Sequence, residues 1–183
     1  MNYNQTIILS VLDVLQKQNM DFLLVGGVAV NFHGFTRNTI DIDFMMALTD
    51  VDGMVKAMKN AGFTSYSIHP LVVFFQKPGI PVRIDFLRID LGTLERLNRS
   101  AVDVQIESHH VKIPSLCDLL AMKLHSFYQS GMDRDKDIID IVSLCVIHNV
   151  DVEMVLQPLA QKYASEEIYQ LVYKKIQTKR NKL

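Results

Sequence analysis

Several large functional classes are excluded by what this 183-residue chain has little of. It holds two cysteines, Cys117 and Cys145. Both lie in apolar helical contexts without the spacing of a disulfide or a zinc site, so both read as buried free thiols. The formal net charge is only -1, which rules out a global attraction to nucleic acid. An RNA substrate would have to be met by a local basic patch. No apolar run approaches the ~20 residues of a membrane span. The polar opening MNYNQT is followed by a run too short and periodic for a signal peptide. A cytoplasmic protein without a membrane partner is therefore expected. Repeats and low-complexity segments are also missing. What remains, 49% apolar and 21% charged residues, suits one globular domain or a domain with a small appendage.

The most informative stretch is LLVGGVAVNFHGFTRNTIDIDF, from Leu23 to Phe44. Phe22 to Val25 reads as a short buried strand that stops at Gly26-Gly27. A second strand, Ile40 to Met45, carries Asp41 and Asp43. Alternation puts both aspartates on one face and turns Ile42 and Phe44 into the core. Neighbouring carboxylates repel unless a cation or proton separates them. An Asp-x-Asp on an apolar strand therefore suits magnesium, which takes oxygen ligands. The solvent face of an edge strand would give the same pattern. The glycine pair would let the backbone approach a phosphate closely, with helix N-terminal amides pointing at it. Residues 27–35 read as a helix ending at Gly34, with His33 capping its carbonyls in preference to contacting substrate. Arg37 reads equally as an ion-pair partner or a phosphate contact, and Thr39 as a local hydrogen-bonding residue.

Elsewhere the pattern alternates between helix and strand. Residues 4–19 form an amphipathic helix. A helix over 51–60 starts at Thr49 or Asp50. Strands follow at 63–68 and 71–77, the second apolar enough to lie central in a sheet. A tight turn at 78–81 leads into Val82–Arg88, an antiparallel neighbour that carries Asp85. A short helix at 91–98 precedes a strand pair at 102–106 and 110–113. His109 and His110 are adjacent on a strand, face opposite sides and cannot readily chelate together.

From Pro114 the pattern becomes helical. Ser115 is the expected N-cap, with Asp118 in a capping-box position. Lys123 lies amid leucines and must snorkel or meet an anion. Asp137 and Asp140 share one helical face. Helices over 151–163 and 165–179 follow. The tail cations Lys174, Lys175, Lys179, Arg180 and Lys182 read as a solvated helix end, with contact to RNA phosphates as the sharper alternative.

Gly26-Gly27, Ala29, His33-Gly34, Arg37, Thr39 and Asp41-Ile42-Asp43, followed by the lone Asp85, resemble the nucleotidyltransferase superfamily with its polymerase-beta-like fold. More narrowly they resemble AbiEii-type toxins, and the likeness extends to about Ile141. It implies an α/β (α+β) fold: a mixed, largely antiparallel sheet flanked by helices. The catalytic core would cover residues 1–113, with a C-terminal helical region, 114–183, packed on it. It implies that Asp41, Asp43 and Asp85 hold two magnesium ions, with Asp85 also helping to deprotonate the acceptor. Gly26, Gly27, Arg37 and Lys123 would contact the triphosphate donor, ATP or another nucleoside triphosphate. The family carries a lysine at the place of Lys123, then a pair matching Lys136-Asp137 and a further acid matching Asp140. Asp137 would either hold Lys123 or assist proton transfer. One departure is Ser130-Gly131, where the family often has an arginine before the glycine; Arg134 could substitute only if its loop folds back. The expected activity is transfer of a nucleoside monophosphate to RNA or protein, with a cognate antitoxin as partner. An antibiotic nucleotidyltransferase of the lincosamide or aminoglycoside kind, or a non-catalytic binding module, are the alternatives.

Overall fold

Aromatic residues recur at matching positions of successive strands, and in the computed structural model, which describes residues 3–182, they meet. The strands are β1 (Phe22–Leu24), β2 (Asp41–Met46), β3 (Ser65–Ile68), β4 (Val72–Gln76) and β5 (Arg83–Arg88). They form one mixed sheet in the order β1-β2-β5-β4-β3. β2 and β5 are parallel, and the remaining neighbours are antiparallel. This is the mixed α/β architecture expected from the sequence. On one face Phe44 stands opposite Phe86 in register, with ring centroids 5.6 Å apart. Phe75 meets Phe86 at 5.5 Å, and Phe22 meets Phe44 at 5.5 Å. The Phe44–Phe86 and Phe22–Phe44 pairs meet edge to face and the Phe75–Phe86 pair is tilted, contacts that add to the hydrophobic gain of burying the rings.

The central strand is β5, whereas the apolar composition of residues 71–77 predicted that place for β4. β4 alternates between buried and half-buried residues, so only one of its faces is fully covered. β5 buries Ile84, Asp85 and Phe86 in succession, the mark of a strand covered on both faces. The outer strand β3 is exposed along its whole length.

The first compact unit comprises the chain up to Ala29 together with Arg37–Pro114. Its helices are α1 (Tyr3–Lys17), α3 (Val51–Asn60) and α4 (Leu91–Ser100). They bury apolar residues at helical spacing: Ile7, Val11 and Leu15 from α1, Met54 and Met58 from α3, Leu94 and Leu97 from α4. Asp50 and Asp90 cap α3 and α4 by accepting from the amides of Gly53 (2.8 Å) and Thr93 (2.9 Å). The hydrogen bonds from Thr93, hydroxyl first, hold the Asp90 carboxyl below its usual pKa. A hairpin of β6 (Val102–Ile106) and β7 (His109–Ile113) completes the unit. His109 turns inward, where its Nε2 lies 3.0 Å from Asp13 Oδ1, while His110 faces out.

α2 (Gly26–Phe32) starts in the first unit; the second comprises Val30–Thr36 and the chain from Ser115 onward. Here lie α5 (Leu116–Gln129), α6 (Asp135–Ile147), α7 (Gln157–Tyr163) and α8 (Glu166–Arg180). The hydroxyl of Ser115 caps α5 by accepting from the Asp118 amide at 3.1 Å, one half of a capping box, and it also donates to the Asp118 carboxylate at 2.6 Å. Residues 151–163, expected as one helix, begin instead with a π-helical turn, Val152–Leu156, that runs into α7. Pro158 has no N–H to donate to the carbonyl of Met154, and a widened turn accommodates that missing bond. The basic end of α8 is only partly a solvated surface. Arg180 donates to the carbonyls of Val150 (2.8 Å) and Cys145 (3.4 Å), and Lys179 donates to the Ser143 hydroxyl at 2.8 Å. No described helix is long and apolar enough to cross a membrane.

Both thiols are free, as expected, but only one of the two is buried. Cys145 is fully buried in α6, and desolvation pushes its pKa to about 12. Cys117 is exposed: it shares a helical face with the buried Leu120 and Leu124, but it lies in the first turn of α5. A maleimide should therefore add one label to the native chain, at Cys117, and a second only after denaturation, as read by intact mass. Phe86 has no exposed surface. Phe86→Ala should lower the unfolding free energy by about 3–5 kcal/mol in urea melts.

Candidate active site

The parallel pairing of β2 with β5 decides which side chains meet. Its register sets Asp41 opposite Arg83 and Asp43 opposite Asp85. These four share the sheet face opposite the phenylalanine core, since alternate strand residues point the same way. Asp85 is 5% exposed, so its carboxylate has lost most of its hydration. β1 ends beside them, where the Val25 amide donates to the Asp43 carbonyl at 2.8 Å.

The glycine pair has a steric cause on this face. Gly26 opens α2 at φ +63, and a Cβ there would run into the Asp43 carboxylate. A Cβ on Gly27 would stand 2.8 Å from the Thr39 hydroxyl and 3.1 Å from Arg37 Nη1. Gly26, Gly27, Arg37, Thr39 and Asp43 are thus neighbours, and the glycines make room for the other three. The Thr39 hydroxyl donates to the Asp41 carbonyl at 3.0 Å, as a local hydrogen-bonding residue should. Arg37 Nη1 donates to the Asn38 carbonyl at 3.2 Å.

Arg83 belongs to this group although the sequence pattern did not single it out. Its Nε and Nη2 reach both oxygens of Asp85, at 2.7 and 2.8 Å, and Nη2 lies 3.4 Å from Asp41 Oδ2. The hydrogen bond to Asp85, with the charges of Asp85, Asp41 and Asp43, raises the guanidinium pKa further above its usual value. Its carbon centre also lies 4.7 Å from the ring centroid of Phe74, which β4 places opposite Asp85. One signal could have found it: Arg83 precedes Asp85 by two residues on an alternating strand and so must share its face.

Carboxylate oxygens are the ligand type that a divalent cation such as magnesium takes. Among the described residues, however, no three His, Cys, Asp or Glu side chains converge on a common point as ligands. The guanidinium of Arg83 stands between Asp41 and Asp85 as the local cation. The donor chemistry fits a divalent ion, and the arrangement as it stands is closed around an arginine.

Lys123, Asp137 and Asp140 form a separate cluster within the helical unit. Lys123 Nζ lies 2.8 Å from Asp137 Oδ1 and 2.9 Å from Asp140 Oδ2. All three residues are buried, so the lysine meets anions and does not snorkel. The i, i+3 spacing on α6 presents both aspartates to one point on α5. The second Asp137 oxygen, Oδ2, is buried without a hydrogen-bond partner. Lys136 is exposed. Arg134 donates to the Ser126 hydroxyl at 3.0 Å, back across the loop between α5 and α6. Near Gly34 the ring of His148 donates to the His33 carbonyl at 2.8 Å.

The fold has counterparts among known proteins. The antibiotic-resistance factor ANT(2'')-Ia superposes with a TM-score of 0.68 at 15% identity, covering 91% of this chain and 96% of that one. The lincosamide antibiotic adenylyltransferase LnuA, solved with lincomycin, gives 0.58 at 18% identity, covering 80% of this chain and 98% of that one. An antigenic nucleotidyltransferase-like protein from Paracoccidioides brasiliensis gives 0.55 at 18% identity, covering 93% and 91% of the two chains. At these identities the likeness is one of fold. No curated protein sequence matches the chain significantly. The sequence profile of the family described as "Nucleotidyl transferase AbiEii toxin, Type IV TA system" matches residues 8–181. With nearly its whole length inside that match, the chain belongs to the AbiEii nucleotidyl transferase family.

Proposed function

We propose that this protein is a metal-dependent nucleotidyltransferase that moves a nucleoside monophosphate from a triphosphate donor to an RNA or protein acceptor. The observation that carries the reading is the register of β2 and β5, which stands Asp43 opposite Asp85 beside the glycine pair. Two carboxylates facing each other on one side of a strand pair suit a reaction in which cations and phosphates must be held together. Asp41, Asp43 and Asp85 would hold the divalent ions, which supply charge neutralisation to the triphosphate when bound. Gly26 and Gly27 offer backbone amides where any side chain would obstruct, and Arg37 lies beside Gly27 as a phosphate contact. Asp85 is the group that accepts the proton of the attacking hydroxyl. Membership of a family described as a type IV toxin–antitoxin system supports a cognate antitoxin as partner.

A small-molecule acceptor is the second reading. One structure of ANT(2'')-Ia, with adenylyl-2''-tobramycin, superposes with a TM-score of 0.68 at 14% identity, covering 89% of this chain and 100% of that one. Competing transfer assays on RNA, proteins, aminoglycosides and lincosamides separate the two acceptor classes.

The role of Lys123 divides along similar lines. Its ammonium is already met by two buried carboxylates, which supports a role in joining α5 and α6. The phosphate-neutralising role implied by the family resemblance would require it to leave them.

Titration with each nucleoside triphosphate and magnesium should show saturable binding that disappears in Asp41→Ala/Asp43→Ala. Failure of the folded wild type to bind any triphosphate would leave the fold as a binding module without this activity. Lys123→Met should lower the unfolding free energy by about 3–5 kcal/mol, because two buried carboxylates lose their cation. A urea melt that matches wild type would remove the structural assignment.

A further inference from the structure

We propose that Arg83 is a resident cation of the acidic face, and that it competes with the divalent ion for Asp85. The inference rests on the nucleotidyltransferase reading, since only that reading brings a metal to these carboxylates.

Asp85 is 5% exposed, and a buried carboxylate needs a cation or a proton. Arg83 supplies the cation from two residues away on the same strand. Its fork takes one oxygen of Asp85 with Nε at 2.7 Å and the other with Nη2 at 2.8 Å. A two-pronged pair of this kind occupies the inward lone pairs of both oxygens. A metal ion held by Asp85 from that side would need the same lone pairs and would draw on the same negative charge. Fork and metal therefore compete for this carboxylate.

Two further contacts hold the arginine in place. Nη2 reaches toward Asp41 Oδ2 at 3.4 Å, and the guanidinium carbon lies 4.7 Å from the centroid of the Phe74 ring. Opposite-charge contacts on one side and an aromatic face beside them define a preorganised seat for a planar cation. The side chain is nonetheless 46% exposed, so it has room to swing outward when displaced. Once released from Asp85, its fork matches the geometry of a phosphate as well as it matched a carboxylate.

Two consequences follow. Without nucleotide, the protein binds divalent ions less tightly than its carboxylates alone would, because Arg83 must first be displaced. With nucleotide, the displaced guanidinium gains a phosphate partner, so metal and triphosphate favour each other's binding. Arg83→Gln should then act in opposite directions on the two ligands.

The test measures Mn2+ binding to the full chain by the electron paramagnetic resonance of free Mn2+, without nucleotide, for wild type, Arg83→Gln and Arg83→Lys. Arg83→Gln should tighten Mn2+ binding by about tenfold or more, the scale set by breaking charged hydrogen bonds that mask the site. It should also weaken binding of a non-hydrolysable ATP analogue at saturating Mn2+. Arg83→Lys, which keeps the charge and loses the fork, should fall between the two and guards against misfolding of the glutamine variant. In unaltered protein, the Arg83 Nε–H signal in NMR should lose its protection from solvent exchange as Mg2+ and the analogue are added. If wild type binds Mn2+ and analogue while the variants bind Mn2+ no more tightly, the competition is overturned and the transferase reading stands. If neither wild type nor variants bind Mn2+ even with the analogue present, both fall.

Discussion

Two carboxylates, Asp43 and Asp85, stand opposite each other on parallel strands, and their mutual repulsion conditions everything around them. The face carrying them would be unfavourable if it were only packed: Asp85 is buried, and Asp41 adds a third acid one step along β2. Arg83 offsets that charge from within the same strand. Gly26 gives up its side chain because Asp43 needs the space. Phe74 offers its ring to the guanidinium. The opposite face of the same strands is closed by Phe44, Phe86 and Phe75, so the register that aligns the rings also aligns the acids. Slipping that register by one residue would put the acids in the core and the rings outside, which makes it strongly specified.

The helical unit answers the same physical problem in another way. There a single buried lysine on α5 meets two aspartates one turn apart on α6. The cluster joins two helices that the Ser130-Gly131 turn alone would leave loosely related. One aspartate oxygen still lacks a partner, an uncommon cost in a buried position. The two clusters differ in exposure. Arg83 remains half open to solvent and can be displaced, whereas Lys123 is enclosed with its partners.

The secondary structure was largely legible because it rests on local rules. Alternation along Asp41–Met46 and Arg83–Arg88 gave strands and assigned Asp41, Asp43 and Asp85 to strand faces. Ser115 with Asp118 marked the start of α5, and Pro114 marked the change to helices. Local rules were less informative where a partner far along the chain decided the outcome. Composition could not show that β5, not β4, takes the centre of the sheet, because that depends on β2 crossing over to pair with it. Cys117 shares a helical face with the buried Leu120 and Leu124, so periodicity alone predicts burial, and its exposure in the first turn of α5 depends on what packs there. The π-helical turn before α7 required knowing that the chain continues as helix through Pro158.

The sequence by itself determined the inventory: three acids on alternating strands, a glycine pair ahead of them, and a lysine among leucines with two acids one turn apart. These follow from periods of two and 3.6 residues, which any chain carries locally. Only the tertiary structure decided their partners. Strand pairing over 42 positions brought Arg83 to Asp41, and helix packing over 14 brought Lys123 to Asp137. Periodicity fixes the face on which a charge sits. The opposing charge that meets it depends on register and packing, which are properties of the folded chain.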